Sequence, residues 1–320
     1  MLSLVIPVYR NEASLPRLLR ELSALAPRCP RGLEVVFVVD GSPDRSLAIL
    51  HDLVPRWDVD AQVLELSRNF GSFAAIAAGL AAGRGTAFAV IAADLQEPPE
   101  LVLEFDRLLG TGEADVVFGY RERRDDPLVS RVLSALFWGF YRRFVIPDMP
   151  KGGIDVFGCT AQVRDCLAGL KEVNSSLVAL LLWVGFRRVF VPYHRQARQE
   201  GTSAWTFGRK VRYAVDSIFS FTDLPIKLML GLGAFAAAAG AIGGVAVLAA
   251  WAAGMVHVLG YTPLMLAVVG FGGFTAFGLG VVGQYVWLSL QNARNRPNFI
   301  VRSAGRFDRA QADVSARNSS

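Results

Sequence analysis

A doubly wound α/β domain followed by two membrane-spanning helices is the fold class this sequence predicts. Three observations predict it. Residues 1–219 alternate short runs rich in Val, Ile and Phe with amphipathic stretches, the pattern of strands and their covering helices. Residues 228–256 and 258–293 then carry no charged side chain, and each run exceeds the roughly 20 apolar residues that take a helix across a bilayer. The composition agrees: 52% of the 320 residues are hydrophobic and mean hydropathy is +0.36, with the excess in the last third.

Taken in order, the strand runs are residues 2–8, 34–39, 62–66, 87–93 and 115–119. Helical stretches 13–25, 46–54, 72–82 and 99–109 lie between them. The strand runs are near-continuous rather than alternating, which suits a parallel sheet covered on both faces. Ligands of such sheets sit beyond the carboxyl ends of the strands. There the first run ends in Pro7, Val8 and Tyr9, followed by Asn11 and Glu12. The second ends at Asp40 in VVDGSPD, and the fourth at Asp94 in AADLQEPPE. An Asp at a strand end is also a common turn former and helix cap, and at Asp40 both readings stand. At Asp94 the following Gln96 adds a second oxygen. Hard oxygen ligands beside a nucleotide-sized crevice suit Mg²⁺ or Mn²⁺ bound together with substrate phosphates. Neither G-x-G-x-x-G after the first strand nor a Walker sequence is present. That argues against dinucleotide oxidoreductases and P-loop NTPases, and leaves phosphate charge to metal and arginine.

Net charge is +5 and the pI is about 9.3. Beside two apolar spans, this balance points to anionic lipid or phosphate substrates rather than nucleic acid. Cys29, Cys159 and Cys166 show no metal-type spacing and read as free thiols. No signal peptide is read before the first strand. Arg209, Lys210 and Lys227 precede the first apolar run and Arg294, Arg296 and Arg302 follow the second, whereas the connection between them has no Lys or Arg. The positive-inside rule therefore places both ends and the α/β domain in the cytoplasm. Residues 130–146 and 211–224 read as amphipathic helices at the membrane interface, the first with Leu133, Leu136, Phe137, Phe140, Tyr141 and Phe144 on its apolar face. Residues 294–320 form a cytoplasmic tail, expected to be unstructured from about residue 304.

VIPVYRNE, VVDGSPD, LSRNFGSFAAIAAGL, AADLQEPPE, EGTSAW with Arg198 before it, and GVVGQY followed by NRP occur in that order. Together they resemble the polyprenyl-phosphate glycosyltransferases of glycosyltransferase family 2, the dolichol-phosphate-mannose-synthase-like group, in its bacterial two-span form. The resemblance implies a GT-A fold, a nucleotide-sugar donor (UDP- or GDP-linked), Mg²⁺ or Mn²⁺, and inverting transfer to polyprenyl phosphate, with undecaprenyl phosphate the expected acceptor. It implies an inner-membrane, multi-pass protein and a homotetramer. Carried over by motif, Pro7, Tyr9, Glu12 and Asp40 would line the nucleoside pocket, and Asp94 and Gln96 would hold the metal. Arg121, Arg123, Arg131, Ser134 and Arg198 would bind the acceptor phosphate, with Arg121, Asp94 and Asp155 at the reaction centre.

Two positions depart from the family pattern. Ala92 stands where the family usually has an Asp two residues before the metal Asp, and Ala204 where it often has Lys. Those departures keep open a second reading, a degenerate protein that binds nucleotide sugar or lipid without turnover. A processive polysaccharide synthase is a third reading. It would need a Q-x-x-R-W motif and further spans, and neither is visible.

Overall fold

The structure, a computed structural model, describes residues 1–121, 139, 142–143, 150, 154–170, 177–194, 222, 224–255, 261–294 and 296–309. The chain divides into two units, Met1–Arg209 with Pro297–Ser320, and Lys210–Arg296.

The first unit is built on one eight-stranded sheet. Its strands are β1 (Leu2–Val8), β2 (Leu33–Val39), β3 (Asp60–Leu66), β4 (Ala87–Val90), β5 (Val116–Arg121), β6 (Ile154–Thr160), β7 (Arg188–Tyr193) and β8 (Val301–Phe307). They lie in the order β7-β5-β6-β4-β1-β2-β3-β8. Helices α1 (Leu15–Leu25), α2 (Ser46–Leu53), α3 (Ser72–Ala82), α4 (Glu100–Gly110), α5 (Ala161–Gly169) and α6 (Leu177–Trp183) belong to the same unit. Every residue of β2 is buried, as a central strand covered on both faces requires. On one face, Leu15, Leu18, Leu19, Leu22 and Leu25 of α1 recur at helical spacing and join Leu2, Leu4, Ile6 and Val8 of β1 in a single core with Phe105 of α4. On the other face α3 approaches through Gly79. A Cβ there would lie 2.3 Å from Val5 Cγ1 and 3.1 Å from Val38 Cγ2.

The first five strands and four helices occur where the sequence places them. The expectation of a wholly parallel sheet is corrected: β1, β2, β3 and β4 pair in parallel, but β6 runs antiparallel to both β4 and β5, and β8 antiparallel to β3. The fold is a mixed α/β sheet. The order reverses between β1 and β4, the switch point at which such sheets open a crevice. Strand β4 ends at Val90 because the next residues turn away to form the acidic loop.

A second correction concerns the tail. Its residues from Pro297 onward belong to the first unit, and Val301–Phe307 is a strand, so residue 304 does not begin an unstructured segment. The strand lacks apolar periodicity because it is an edge strand with its side chains largely exposed and only Phe307 packed against the core. Polar clamps hold it instead: Arg302 and Ser303 donate to Glu65, Arg84 pairs with Asp308, and the Arg309 N–H donates to Asp60.

The second unit contains α7 (Leu224–Ala252) and α8 (Tyr261–Ala293), of 29 and 33 residues. At ~1.5 Å per residue each exceeds the roughly 30 Å of a bilayer core. Within α8, Gly270–Ala293 is long and apolar enough to cross a membrane, with mean hydropathy 1.3. Gly278 lies against Met229 of α7, whose Cε would be 2.8 Å from a Cβ at that position. The amphipathic segments expected at 130–146 and 211–224 fall largely outside the described residues. Gly139, Arg142 and Arg143 among them have helical backbone.

Candidate active site

Four loops meet the carboxyl end of the parallel strands: residues 9–14 after β1, 40–45 after β2, 67–71 after β3 and 91–99 after β4. Hydrogen bonds between them, rather than apolar packing, set their shape.

The loop after β1 is held by the loop after β2. Arg10 N–H donates to Ser42 Oγ at 2.8 Å, Asn11 N–H to Ser46 Oγ at 3.1 Å and Glu12 N–H to Asp44 Oδ2 at 3.1 Å. The Glu12 carboxylate reciprocates by accepting from Arg45 N–H at 2.9 Å. Tyr9 N–H is satisfied locally by Asn11 Oδ1 at 3.0 Å. Asp44 accepts in turn from both serine hydroxyls, Ser42 at 2.5 Å and Ser46 at 2.9 Å, and from Ser46 N–H at 3.2 Å. Burial pushes the Asp44 carboxyl up. The bonds from Ser42, Ser46 and the two N–H groups outweigh that and leave it below its ordinary value.

Asp40 is 2% exposed. Its two oxygens accept from Phe70 N–H at 2.7 Å and Gly71 N–H at 2.8 Å, so it pins the loop that opens α3. Burial raises its carboxyl above the ordinary value despite those bonds and the Arg68 charge. The same loop crosses directly over Gly41, where φ is +56° and a Cβ would stand 2.5 Å from the Arg68 and Asn69 backbone. Only glycine meets both conditions.

The acidic loop is tied to the first loop by Ser14, whose hydroxyl donates to Ala93 O at 2.9 Å. Gln96 N–H donates to Asp94 Oδ1 at 3.3 Å around Leu95, which adopts φ +55°. Asp94 is half-buried; Gln96 and Glu97 are buried. As cation ligands, Asp94 and Gln96 offer hard oxygens of the right kind. No group of three or more acidic, His or Cys side chains is assembled among the described residues. Their chemistry fits a Mg²⁺- or Mn²⁺-type ion, which would need further oxygens from outside these two side chains.

Pro7, Tyr9, Glu12, Asp40, Asp94 and Gln96 thus stand at one end of the adjacent strands β1, β2 and β4. Arg121 closes β5 at the same end, because β5 runs parallel to β4 through their shared neighbour β6. Asp155 stands at the entry of antiparallel β6, also at this end. Val156 pairs with Gly119 and Ile154 with Tyr120, so Asp155 is the extra residue of a β-bulge, a device that recurs beside active sites. Arg123, Arg131, Ser134 and Arg198 lie outside the described residues. The sequence reading missed Ser14, Ser42, Asp44 and Ser46. The only signal for Ser42, Asp44 and Ser46 was the cluster of turn-forming residues in DGSPDRS; Ser14 lies outside it, directly before α1.

The chain is similar to several known proteins. Residues 3–168 match the family described as Glycosyl transferase family 2. An uncharacterized glycosyltransferase of Bacillus subtilis, YkcC, is 31% identical over 305 residues, covering 94% of this chain and 93% of its own. The bactoprenol glucosyl transferase of Shigella phage SfII is 28% identical over 306 residues, covering 95% of this chain and 98% of its own. Among solved structures, the mannosyltransferase PcManGT from Pyrobaculum calidifontis, in complex with GDP-Man and Mn²⁺, covers 89% of this chain and 87% of its own, with a TM-score of 0.44 and 17% identity. The family match runs from β1 to α5 and takes in all four crevice loops; the chain belongs to glycosyl transferase family 2 and is a glycosyltransferase.

Proposed function

We propose that this enzyme transfers a sugar from a UDP- or GDP-sugar to polyprenyl phosphate at the cytoplasmic face of the membrane, with inversion at the anomeric carbon. One observation carries the lipid-acceptor reading. The chain leaves the catalytic sheet, runs through the two long apolar helices α7 and α8, and returns to the same sheet as β8. A chain that re-enters its starting domain has crossed a bilayer an even number of times. Two crossings satisfy this and agree with the flanking Lys and Arg. The phage relative named a bactoprenol glucosyl transferase, matched along nearly its whole length, supports the same acceptor.

In the reaction an acceptor phosphate oxygen forms a bond to the anomeric carbon as the bond from that carbon to the nucleoside diphosphate breaks. The diphosphate leaves from the opposite side with the electron pair. The attacking oxygen is already anionic near neutral pH, so no strong general base is required. The chain's task is to bring two anionic phosphates together. Arg121 would serve this from the end of β5: its guanidinium is permanently charged and matches phosphate oxygens in pairs. Tyr9, Glu12 and Asp40 shape the nucleoside end. Asp155, lifted from the ladder by its bulge, orients the acceptor. Asp94 and Gln96 would hold a divalent cation, which when bound supplies Lewis-acid stabilisation to the departing diphosphate. With Ala92 where the family resemblance would place an acid, Asp94 and Gln96 would hold such a cation with fewer protein carboxylates.

A single-turnover assay on the full chain in liposomes tests this, with undecaprenyl phosphate, labelled UDP- and GDP-sugars, and Mg²⁺ or Mn²⁺. Label enters the lipid phase for one donor, and Asp94→Ala lowers the rate by at least ~100-fold, the scale of losing transition-state charge stabilisation. Donor binding without transfer to any polyprenyl phosphate would overturn the acceptor assignment.

A further inference from the structure

We infer that Asp44 is a positioning residue for the donor: it shapes the nucleoside-binding loop after β1 by serving, directly or through one hydroxyl, three consecutive main-chain N–H groups. This rests on the reading that Tyr9 and Glu12 contact the donor's nucleoside.

The chemistry follows from hydrogen-bond direction. Ionised, a carboxylate only accepts. Both serine hydroxyls beside Asp44 must therefore spend their single proton on it, Ser42 on Oδ1 and Ser46 on Oδ2. Their lone pairs are then left to accept, Ser42 from Arg10 N–H and Ser46 from Asn11 N–H. The third donor, Glu12 N–H, reaches Asp44 Oδ2 itself. One negative charge thus orders every bond in the relay. Arg10, the first of the three residues, has φ +57°. Successive N–H groups next to a left-handed residue form the type of concavity that binds anions in phosphate loops. Here the protein's own carboxylate and hydroxyls fill it. The loop after β1 is consequently closed to the donor's phosphates and presents its side chains, Tyr9 and Glu12, instead. The absence of a glycine-rich phosphate loop and the presence of Asp44 are two sides of one arrangement.

Asp44→Asn keeps size and shape but brings in an NH₂ group that donates, so the hydroxyl order is lost. The full chain in liposomes is assayed for transfer kinetics. Binding of UDP and GDP is measured by calorimetry without acceptor, and amide exchange is followed at residues 10–12. We expect Asp44→Asn to weaken nucleotide binding and raise the donor KM about tenfold, the worth of one or two hydrogen bonds. The kcat stays within about threefold, the acceptor KM is unchanged, and exchange at Arg10, Asn11 and Glu12 accelerates. Ser42→Ala gives a smaller loss of the same kind, Ser42→Thr restores it, and the double variant with Asp44→Asn is no worse than Asp44→Asn alone, because the two act through one carboxylate. Should Asp44→Asn fail to fold, the half-exposed Ser42 pair carries the comparison. Wild-type donor KM and exchange in Asp44→Asn, or a fall in kcat with nucleotide binding intact, would overturn the inference. If the wild type binds nucleotide but transfers nothing to polyprenyl phosphate, the acceptor reading fails while the binding and exchange arms still decide this one. A wild type that binds neither nucleotide overturns both.

Discussion

Arg10 and Leu95 are the two residues other than glycine with positive φ among the described residues, at 57° and 55°. Both stand in loops that follow the carboxyl ends of the parallel strands, Arg10 after β1 and Leu95 after β4. A left-handed conformation costs an ordinary residue about 1–2 kcal/mol, and such strain collects where surrounding structure imposes it for function. The two should respond differently to glycine. Arg10 is exposed, so Arg10→Gly removes strain and little packing; unfolding stability should rise by up to ~1 kcal/mol, read as a higher Tm. Leu95 is in the core cluster, so Leu95→Gly loses about 2–3 kcal/mol of packing and lowers the Tm despite the relief. The same Tm shift for both would contradict this assignment of strain and packing. Thiol chemistry makes a separate test. Burial pushes Cys29 up to about 11 and Cys159 up to about 12, whereas Cys166 is exposed. A maleimide at neutral pH should label Cys166 in the folded protein and reach the other two only after denaturation, by mass spectrometry. The pH response of the first loop follows from Asp44. Its carboxyl titrates lower folded than unfolded, so its contribution is complete above the unfolded value and disappears as pH falls through the folded one. Amide protection at residues 10–12 should therefore hold down to about pH 4 and fail below the ordinary carboxylate range; loss by about pH 6 would contradict it.

Element by element, tight approach matters more than propensity. Helix α3 is more than half Ala, and it reaches the sheet because Gly79 places nothing between it and Val5. Gly79→Ala should therefore destabilise by at least ~1–3 kcal/mol through overpacking, although alanine favours an isolated helix. A gain in Tm would refute the packing shown for α3. The same contrast explains what could be read from sequence. β1, β2 and α1 were legible because burial on both faces, or on one stripe, writes itself into consecutive residues. β8 was not, because its partner β3 lies more than two hundred residues earlier in the chain and its bonds run through arginines on an exposed edge. β7, an edge strand in which only Tyr193 is buried, hid in the same way. In the site, Asp40 and Asp94 were visible as acids at strand ends. The sequence could not show that Asp40 spends both oxygens on Phe70 and Gly71 N–H, or that Asp44 reaches a loop thirty residues away. Those facts belong to pairings between loops, which no local pattern records.

For the molecule as a whole, the decisive feature is that the chain after the apolar helices is a part of the catalytic sheet. Ser67 N–H donates to Ile300 O at 2.9 Å, which places the entry to β8 against the loop whose far end Asp40 grips at Phe70 and Gly71. Glu65, one turn of the ladder earlier, holds Arg302 and Ser303. An exposed ion pair such as Arg302–Glu65 contributes at most about 1 kcal/mol. The strand's main effect is to complete the hydrogen bonding of β3, which would otherwise present an open edge prone to pairing with other chains. A chain ending at Arg296 keeps both apolar helices and should still sediment with membranes. It should nevertheless show a lower Tm for the catalytic unit, faster exchange at Phe70 and Gly71, and weaker nucleotide binding. Supplying residues 297–309 as a peptide should recover part of the nucleotide binding, since an extended segment can add to an open sheet edge. If the truncated chain matched the full one in exchange and in nucleotide affinity, β8 would be a cover for the edge and no part of the site's support. Recovery by the peptide would show instead that the final strand acts on the donor crevice through β3.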